Sequence, residues 1–297
     1  MLQSIRRLVR KSDLLRRLAG YHLASHWLMD SYFKNYHLDG PWKARVDDVL
    51  ASSDLAKIEK VADAGKIAGG KQIMHNGLKI YNGSYYGPEY AQLLCTCQGV
   101  HEPQEEFVFQ EVLKSLKPGA LMIEMGAFWS FYSMWFQQKI PNAKNFMIEP
   151  EAFNLGHGKR NFKLNGMTGS FTHAFIGMQS SEGCPATVCI DDFVKTNKID
   201  FVDLLHSDIQ GFEHDMLLGA ETLFASKRVG YVFISTHNDQ VHQSCLDYLL
   251  QHDFIVIAAA NMAETFSVDG LIVARAPYYP GIGPLQISKK VSSDSRA

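Results

Sequence analysis

The chain has 297 residues, 46% of them hydrophobic, and a formal net charge of −2. That is enough apolar material for one large α/β domain with an appendage, and it excludes wholesale disorder. The near balance of charge gives no general pull toward nucleic acid, so no such partner is expected.

At residues 2–18, Leu2, Ile5, Leu8, Val9, Leu14, Leu15 and Leu18 recur at helical spacing among six Arg and Lys residues. Such a helix suits docking or oligomer contact, and it also suits peripheral contact with anionic lipid at the inner face of a membrane. Helical, aromatic-rich segments continue from there, broken at Gly40-Pro41, Gly65, Gly69 and Gly70, so residues 1–70 read as an N-terminal helical appendage. Residues 71–100 form a lead-in, where "GLKIYNGSYYG" (77–87) alternates and turns at Asn82-Gly83 as a short hairpin. No apolar run is long enough for a signal peptide or a membrane span. The five cysteines are an odd number without the spacing of a zinc site or a disulfide framework, which fits a reducing, cytoplasmic setting.

After "HEPQEE" (101–106) the texture becomes a regular alternation of strand and helix through residue 283. The spacing predicts strands at 120–125, 145–149, 171–176, 201–207, 230–236 and 254–259, hence an α/β fold with a mostly parallel sheet. The stretch "FIVIAAANMAETFSVDGLIVARA" (254–276) then sets two strands back to back, so an antiparallel hairpin closes the sheet. Residues 284–297 read as a polar, disordered tail.

Ligands of an open parallel sheet bind beyond the carboxyl ends of its strands. The first strand ends in Glu124, Met125, Gly126 and Ala127, where the glycine allows a tight turn onto a helix N-terminus. The second ends in Glu149-Pro150, a carboxylate placed to accept both hydroxyls of a ribose. A dinucleotide would need further glycines after Gly126 for its pyrophosphate; Phe128, Trp129 and Ser130 stand there instead. An adenosine cofactor without phosphates, S-adenosylmethionine, fits better.

The motifs "MIEMGAFWSFYS", "MIEP", "LLHSDIQGFE" and "FSVDGLIVARA" resemble, in order and spacing, the FkbM family of S-adenosylmethionine-dependent methyltransferases over residues 101–276. The resemblance implies a class I methyltransferase (Rossmann-like) fold, with a seven-stranded, mostly parallel sheet and an antiparallel last strand. It also implies O-methylation of a hydroxyl on a sugar, glycan or related small metabolite. By position it places Glu124, Gly126, Ala127, Phe128 and Ser130 on the cofactor loop, Ser133 at a hydroxyl position and Glu149 at the ribose. The family pattern K-x-D-x-E-G-x-E reads here with Asp208, Gly211 and Glu213 retained, and with His206 and Gln210 as departures.

Methyl transfer to oxygen requires the hydroxyl to lose a proton, so a base or a metal is expected near the acceptor. Asp208 ends the fourth strand; it is placed to face cofactor and acceptor, to ligate a cation or to cap the helix that follows. His237, in "FISTHND", ends the fifth strand and suits a general base. A divalent metal on these two residues is conceivable, and the metal question stays open. Candidate acceptor contacts are His101, Glu105, Gln210 and Asn238, the last also a candidate helix cap. Asp191 and Asp192 read as a cap, and His206 as a satisfied core histidine. The alternatives are a non-catalytic methyltransferase-fold scaffold that binds a membrane or partner through its appendage, and an NAD-dependent oxidoreductase. The acceptor's identity and the oligomeric state are not legible.

Overall fold

The structure, a computed structural model, describes residues 27–290. The basic stretch at 2–18 and the last seven residues of the polar tail lie outside the described residues. The described chain begins with helices α1 (Trp27–Lys34) and α2 (Gly40–Ala51) and a 3-10 turn at Ser53–Ala56. Strands β1 (Ile67–Ala68), β2 (Lys71–Ile73) and β3 (Lys79–Tyr81) follow as a small antiparallel sheet.

This sheet corrects the predicted hairpin: the chain reverses through residues 74–78, and Asn82-Gly83 comes after the second strand of the pair. The Asn82 amide is buried and donates to Asp30 at 2.9 Å. Asp30 also accepts from the backbone of Gly69 and Gly70. A buried carboxylate that gathers three donors decides the local geometry over the turn preference of an Asn-Gly pair.

Helices α3 (Pro88–Thr96) and α4 (Pro103–Leu113) lead into β4 (Leu121–Met125), α5 (Phe131–Lys139), β5 (Lys144–Ile148), α6 (Ala152–Leu164) and β6 (Ser170–Thr172). Next come β7 (Ala174–Ile176), β8 (Ala186–Val188), α7 (Ile190–Thr196), β9 (Val202–Ser207), α8 (Glu213–Leu218) and α9 (Glu221–Ala225). The chain finishes with β10 (Val229–Thr236), α10 (Asp239–Gln251), β11 (Ile255–Ala260) and β12 (Gly270–Arg275).

Seven of these strands make one sheet in the order β11-β12-β10-β9-β4-β5-β6. Strand β12 runs antiparallel to both neighbours and the remaining pairs are parallel, the class I methyltransferase arrangement. Every residue of β4 and β10 is buried, because helices cover both faces of the sheet. One face packs Met122, Leu204 and Phe233 against Phe109 and Phe136. The other packs Ile123, Leu205 and Ile234 against Ile190 and Met216. Val46 and Val49 of α2 belong to the first of these cores, so the segment set apart by composition shares its packing.

Three expectations are corrected. The strand predicted at 171–176 divides: β6 stays in the main sheet, while β7 leaves it to pair with β8. Residues 284–290 are not loose, since Leu285 donates to the Ile257 carbonyl, Ser288 to Asp54 and Lys290 to the Glu264 carbonyl. The acidic pair does not cap its own helix. Asp191 instead accepts from Thr222 and Leu223, at the start of α9 (2.8 and 2.9 Å), and Asp192 accepts from Ser180 Oγ.

Candidate active site

The sheet order reverses between β4 and β9, which opens a crevice at their carboxyl ends. The β4 turn is packed tightly against β9. Gly126 has φ +70°, and a Cβ there would lie 1.7 Å from the Asp208 carbonyl oxygen, so no other residue fits. The backbone N–H groups of Gly126 and Ala127 both donate to the Ile148 carbonyl, at 3.0 and 3.1 Å. That of Phe128 donates to Glu149 Oε2 at 3.0 Å, and that of Ser130 to the Ala127 carbonyl. These four donors are engaged within the protein, which removes them from any pyrophosphate. Glu149 Oε1 accepts from the Glu151 N–H at 2.9 Å. The Asn154 side chain also bonds to Glu149, and since a carboxylate offers about four acceptor positions, Glu149 keeps acceptor capacity for a hydroxyl group.

Above this turn lies a cavity of about 500 Å³, a size that holds a drug-sized ligand. Glu124, Gly126, Ala127, Phe128, Glu149, Asp208, Gln210 and His101 all reach its wall. Five of the predicted site residues do not. Ser130 and Ser133 are fully buried beneath the turn: the Ser130 hydroxyl faces Gly158, where an added Cβ would sit 2.3 Å from it, and the Ser133 N–H donates to Glu124 at 3.2 Å. Glu105 faces the sheet, bonded to His206 Nε2 at 2.7 Å and Ser235 Oγ at 3.0 Å. Asn238 caps α10 through the Val241 N–H at 2.8 Å. His237 stands behind Asp208.

His237 is surrounded by carboxylates: Nε2 lies 3.3 Å from Asp208 and 3.4 Å from Asp269, and Nδ1 lies 2.8 Å from Glu213. Burial disfavours its cation, but the bonds to Asp208 and Glu213 and the field of Asp269 outweigh burial and raise its pKa to about 10. A ring held protonated at neutral pH is in the wrong state to accept a proton. Asp208 does not cap the next helix either: α8 starts at Glu213, whose carboxylate reaches back to the N–H groups of Ile209 and Gly211. Among the described residues no group of three or more His, Cys, Asp or Glu side chains is arranged to hold a metal.

His206 departs from its expected role. It is buried yet lines the cavity, and while Nε2 is bonded to Glu105, Nδ1 has no protein partner. Glu124 is pushed up to about 7 by burial, which the nearby His206 opposes. Sequence reasoning also missed Tyr85, Tyr86, Glu102 and Tyr132 on the wall. Glu102 accepts from the Tyr132 hydroxyl at 2.9 Å and is raised to about 7 by burial, with His101 opposing. Tyr85 and Tyr86 sit in the misread hairpin, where adjacent residues would face opposite ways; Tyr86 has φ 46°, which lets both rings meet the cavity.

Residues 119–256 match the family model described as the methyltransferase FkbM domain. No curated protein matches the chain. Among solved structures, a precorrin-6y C5,15-methyltransferase from Geobacter metallireducens GS-15 is 17% identical, over 58% of this chain and 88% of its own, with a TM-score of 0.42. An rRNA methylase from Streptococcus thermophilus is 12% identical, over 58% of this chain and 96% of its own, with a TM-score of 0.43. M. capricolum TrmK in complex with S-adenosyl-homocysteine is 15% identical, over 58% of this chain and 69% of its own, with a TM-score of 0.40.

Proposed function

The chain carries a methyltransferase FkbM domain over residues 119–256, and from that premise we propose that it methylates a hydroxyl of a sugar or related small metabolite. The observation that carries the cofactor assignment is the turn after β4. Its N–H groups are answered by Ile148, Glu149 and Ala127, so it suits a nucleoside without phosphates and disfavours NAD. S-adenosylmethionine, when bound, supplies an electrophilic methyl group on sulfur. Glu149 would hold a ribose hydroxyl through its remaining acceptor capacity, and Glu124 would face the methionine end.

Asp208 is placed to orient the acceptor hydroxyl and take its proton. His237 is a positioning residue in this scheme: its cation behind Asp208 holds that carboxylate directed at the cavity. Calorimetric titration tests the proposal. S-adenosylhomocysteine should bind and NADH should not. In a folded Glu149→Ala variant the loss of charged hydrogen bonds of about 1.5–3 kcal/mol should weaken binding roughly 10- to 150-fold. Unchanged affinity in that variant would sink the assignment.

A further inference from the structure

The cavity has a charge that the cofactor does not account for. Its wall carries Glu102, Glu124, Glu149, Glu151 and Asp208 and, among the described residues, neither lysine nor arginine. In the methyltransferase reading, on which this inference rests, Glu149 and Glu124 serve the cofactor. Glu102 is left over, and Asp208 serves the acceptor. The cations behind them are already shared: the imidazolium of His237 faces three carboxylates, Asp208, Glu213 and Asp269, His206 is bonded to Glu105, and Arg45 donates to the carbonyls of His101 and Phe266. His101 is committed first to Glu106, at 2.6 Å, and lies 3.4 Å from Glu102.

Aromatic rings face the same space. Tyr86 and Phe212, each 56% exposed, line the cavity. Tyr86 packs edge-on against Phe128, with ring centroids 5.2 Å apart, and Tyr85 stacks on Trp129 at 4.5 Å and 12°. The field reaches the Tyr86 phenol: burial, then Asp208, Asp269, Glu102 and Glu149, push it up to about 12. The unpartnered Nδ1 of the buried His206 adds a polar group free for a ligand. Carboxylates at least partly withdrawn from water beside open aromatic faces are a receptor for a cation and repel an anion.

We propose that the methyl acceptor is a hydroxylated compound bearing a protonated amine, received between the rings of Tyr86 and Phe212 and the carboxylates of Glu102 and Asp208. Acceptors that carry phosphate or carboxylate are excluded by like charge.

Glucosamine, glucose and glucuronate share one ring and differ in charge, so they separate these cases. Each is titrated calorimetrically into the protein saturated with S-adenosylhomocysteine, and again into the protein alone. Glucosamine should bind at least about tenfold tighter than glucose, and glucuronate weakest. In a Glu102→Gln variant that still binds S-adenosylhomocysteine, the preference should shrink to about twofold or less. Equal binding of glucosamine and glucose, tighter binding of glucuronate, or no binding of any of the three overturns the inference. Preference for glucosamine without any binding of S-adenosylhomocysteine would uphold the cation site while refuting the methyltransferase reading.

Discussion

Gly126→Ala tests whether the tight packing of the β4 turn is what makes the cleft. The new Cβ would sit 1.7 Å from the Asp208 oxygen, 2.7 Å from its carbonyl carbon and 3.4 Å from Ile209 Cγ2. A non-glycine residue at φ +70° costs about 1–2 kcal/mol. Relieving overlap with backbone adds about 1–3 kcal/mol, so the total is roughly 2–5 kcal/mol. Gly119→Ala is the matched control, because Gly119 has φ +83° but nothing within 4 Å of the added carbon. Urea unfolding of both variants, with the wild type, isolates the overlap. The control should lose only the backbone cost and keep its affinity for S-adenosylhomocysteine. Gly126→Ala should lose more stability, and its displaced turn should weaken the ligand at least tenfold. If the two variants unfold within about 0.5 kcal/mol of each other and bind equally, the turn is not constrained as described.

Glu106 is sealed from solvent, accepts the N–H groups of His101 and Glu102, and meets His101 Nδ1 at 2.6 Å and His75 Nε2 at 3.0 Å. Burial alone would raise its pKa, but the two histidines hold it well below the ordinary range. Glu106→Gln should therefore cost about 3–5 kcal/mol in urea unfolding, and a loss under about 1 kcal/mol would mean that the carboxylate is not part of a buried ion pair. For His237, raised from 6.5 to about 10, the contribution to stability is complete below pH 6.5 and is lost as pH rises toward 10. The gap in melting temperature between wild type and His237→Gln should narrow over that interval, and a gap independent of pH would refute the carboxylate cage. Asn238→Ala should cost about 1 kcal/mol through the lost cap and leave ligand affinity unchanged; a tenfold change would return Asn238 to the acceptor site.

The central strands were legible because buried parallel strands are continuous apolar runs, as 121–125 and 229–236 are. Strand β8 and the small sheet at 67–81 were not, since runs of two or three residues carry no period. Glu124, Gly126, Glu149 and Asp208 could be placed because strand ends in this topology converge. What lies behind a strand end leaves no trace in spacing. His237 looked like a base because its partner Asp269 is 32 residues further on (269 − 237), in the closing hairpin. Glu102 was passed over within a helix start rich in carboxylates, and only the fold shows that it alone of Glu102, Glu105 and Glu106 reaches the main cavity.

The bond between the sealed carboxylate of Asp54 and Ser288 spans 234 residues, and the one from Arg45 to the Phe266 carbonyl spans 221. At about 5–20 residues per second, the first of these partners leaves the ribosome roughly 12–47 s before the second. Throughout that interval Asp54 has only its near neighbour Lys57 for company and must stay hydrated. Arg45 also donates to the carbonyl of His101, on the cavity wall. The helix that carries Arg45 therefore waits for a hairpin made 221 residues later, and a nascent chain completes its cleft only once that hairpin has emerged.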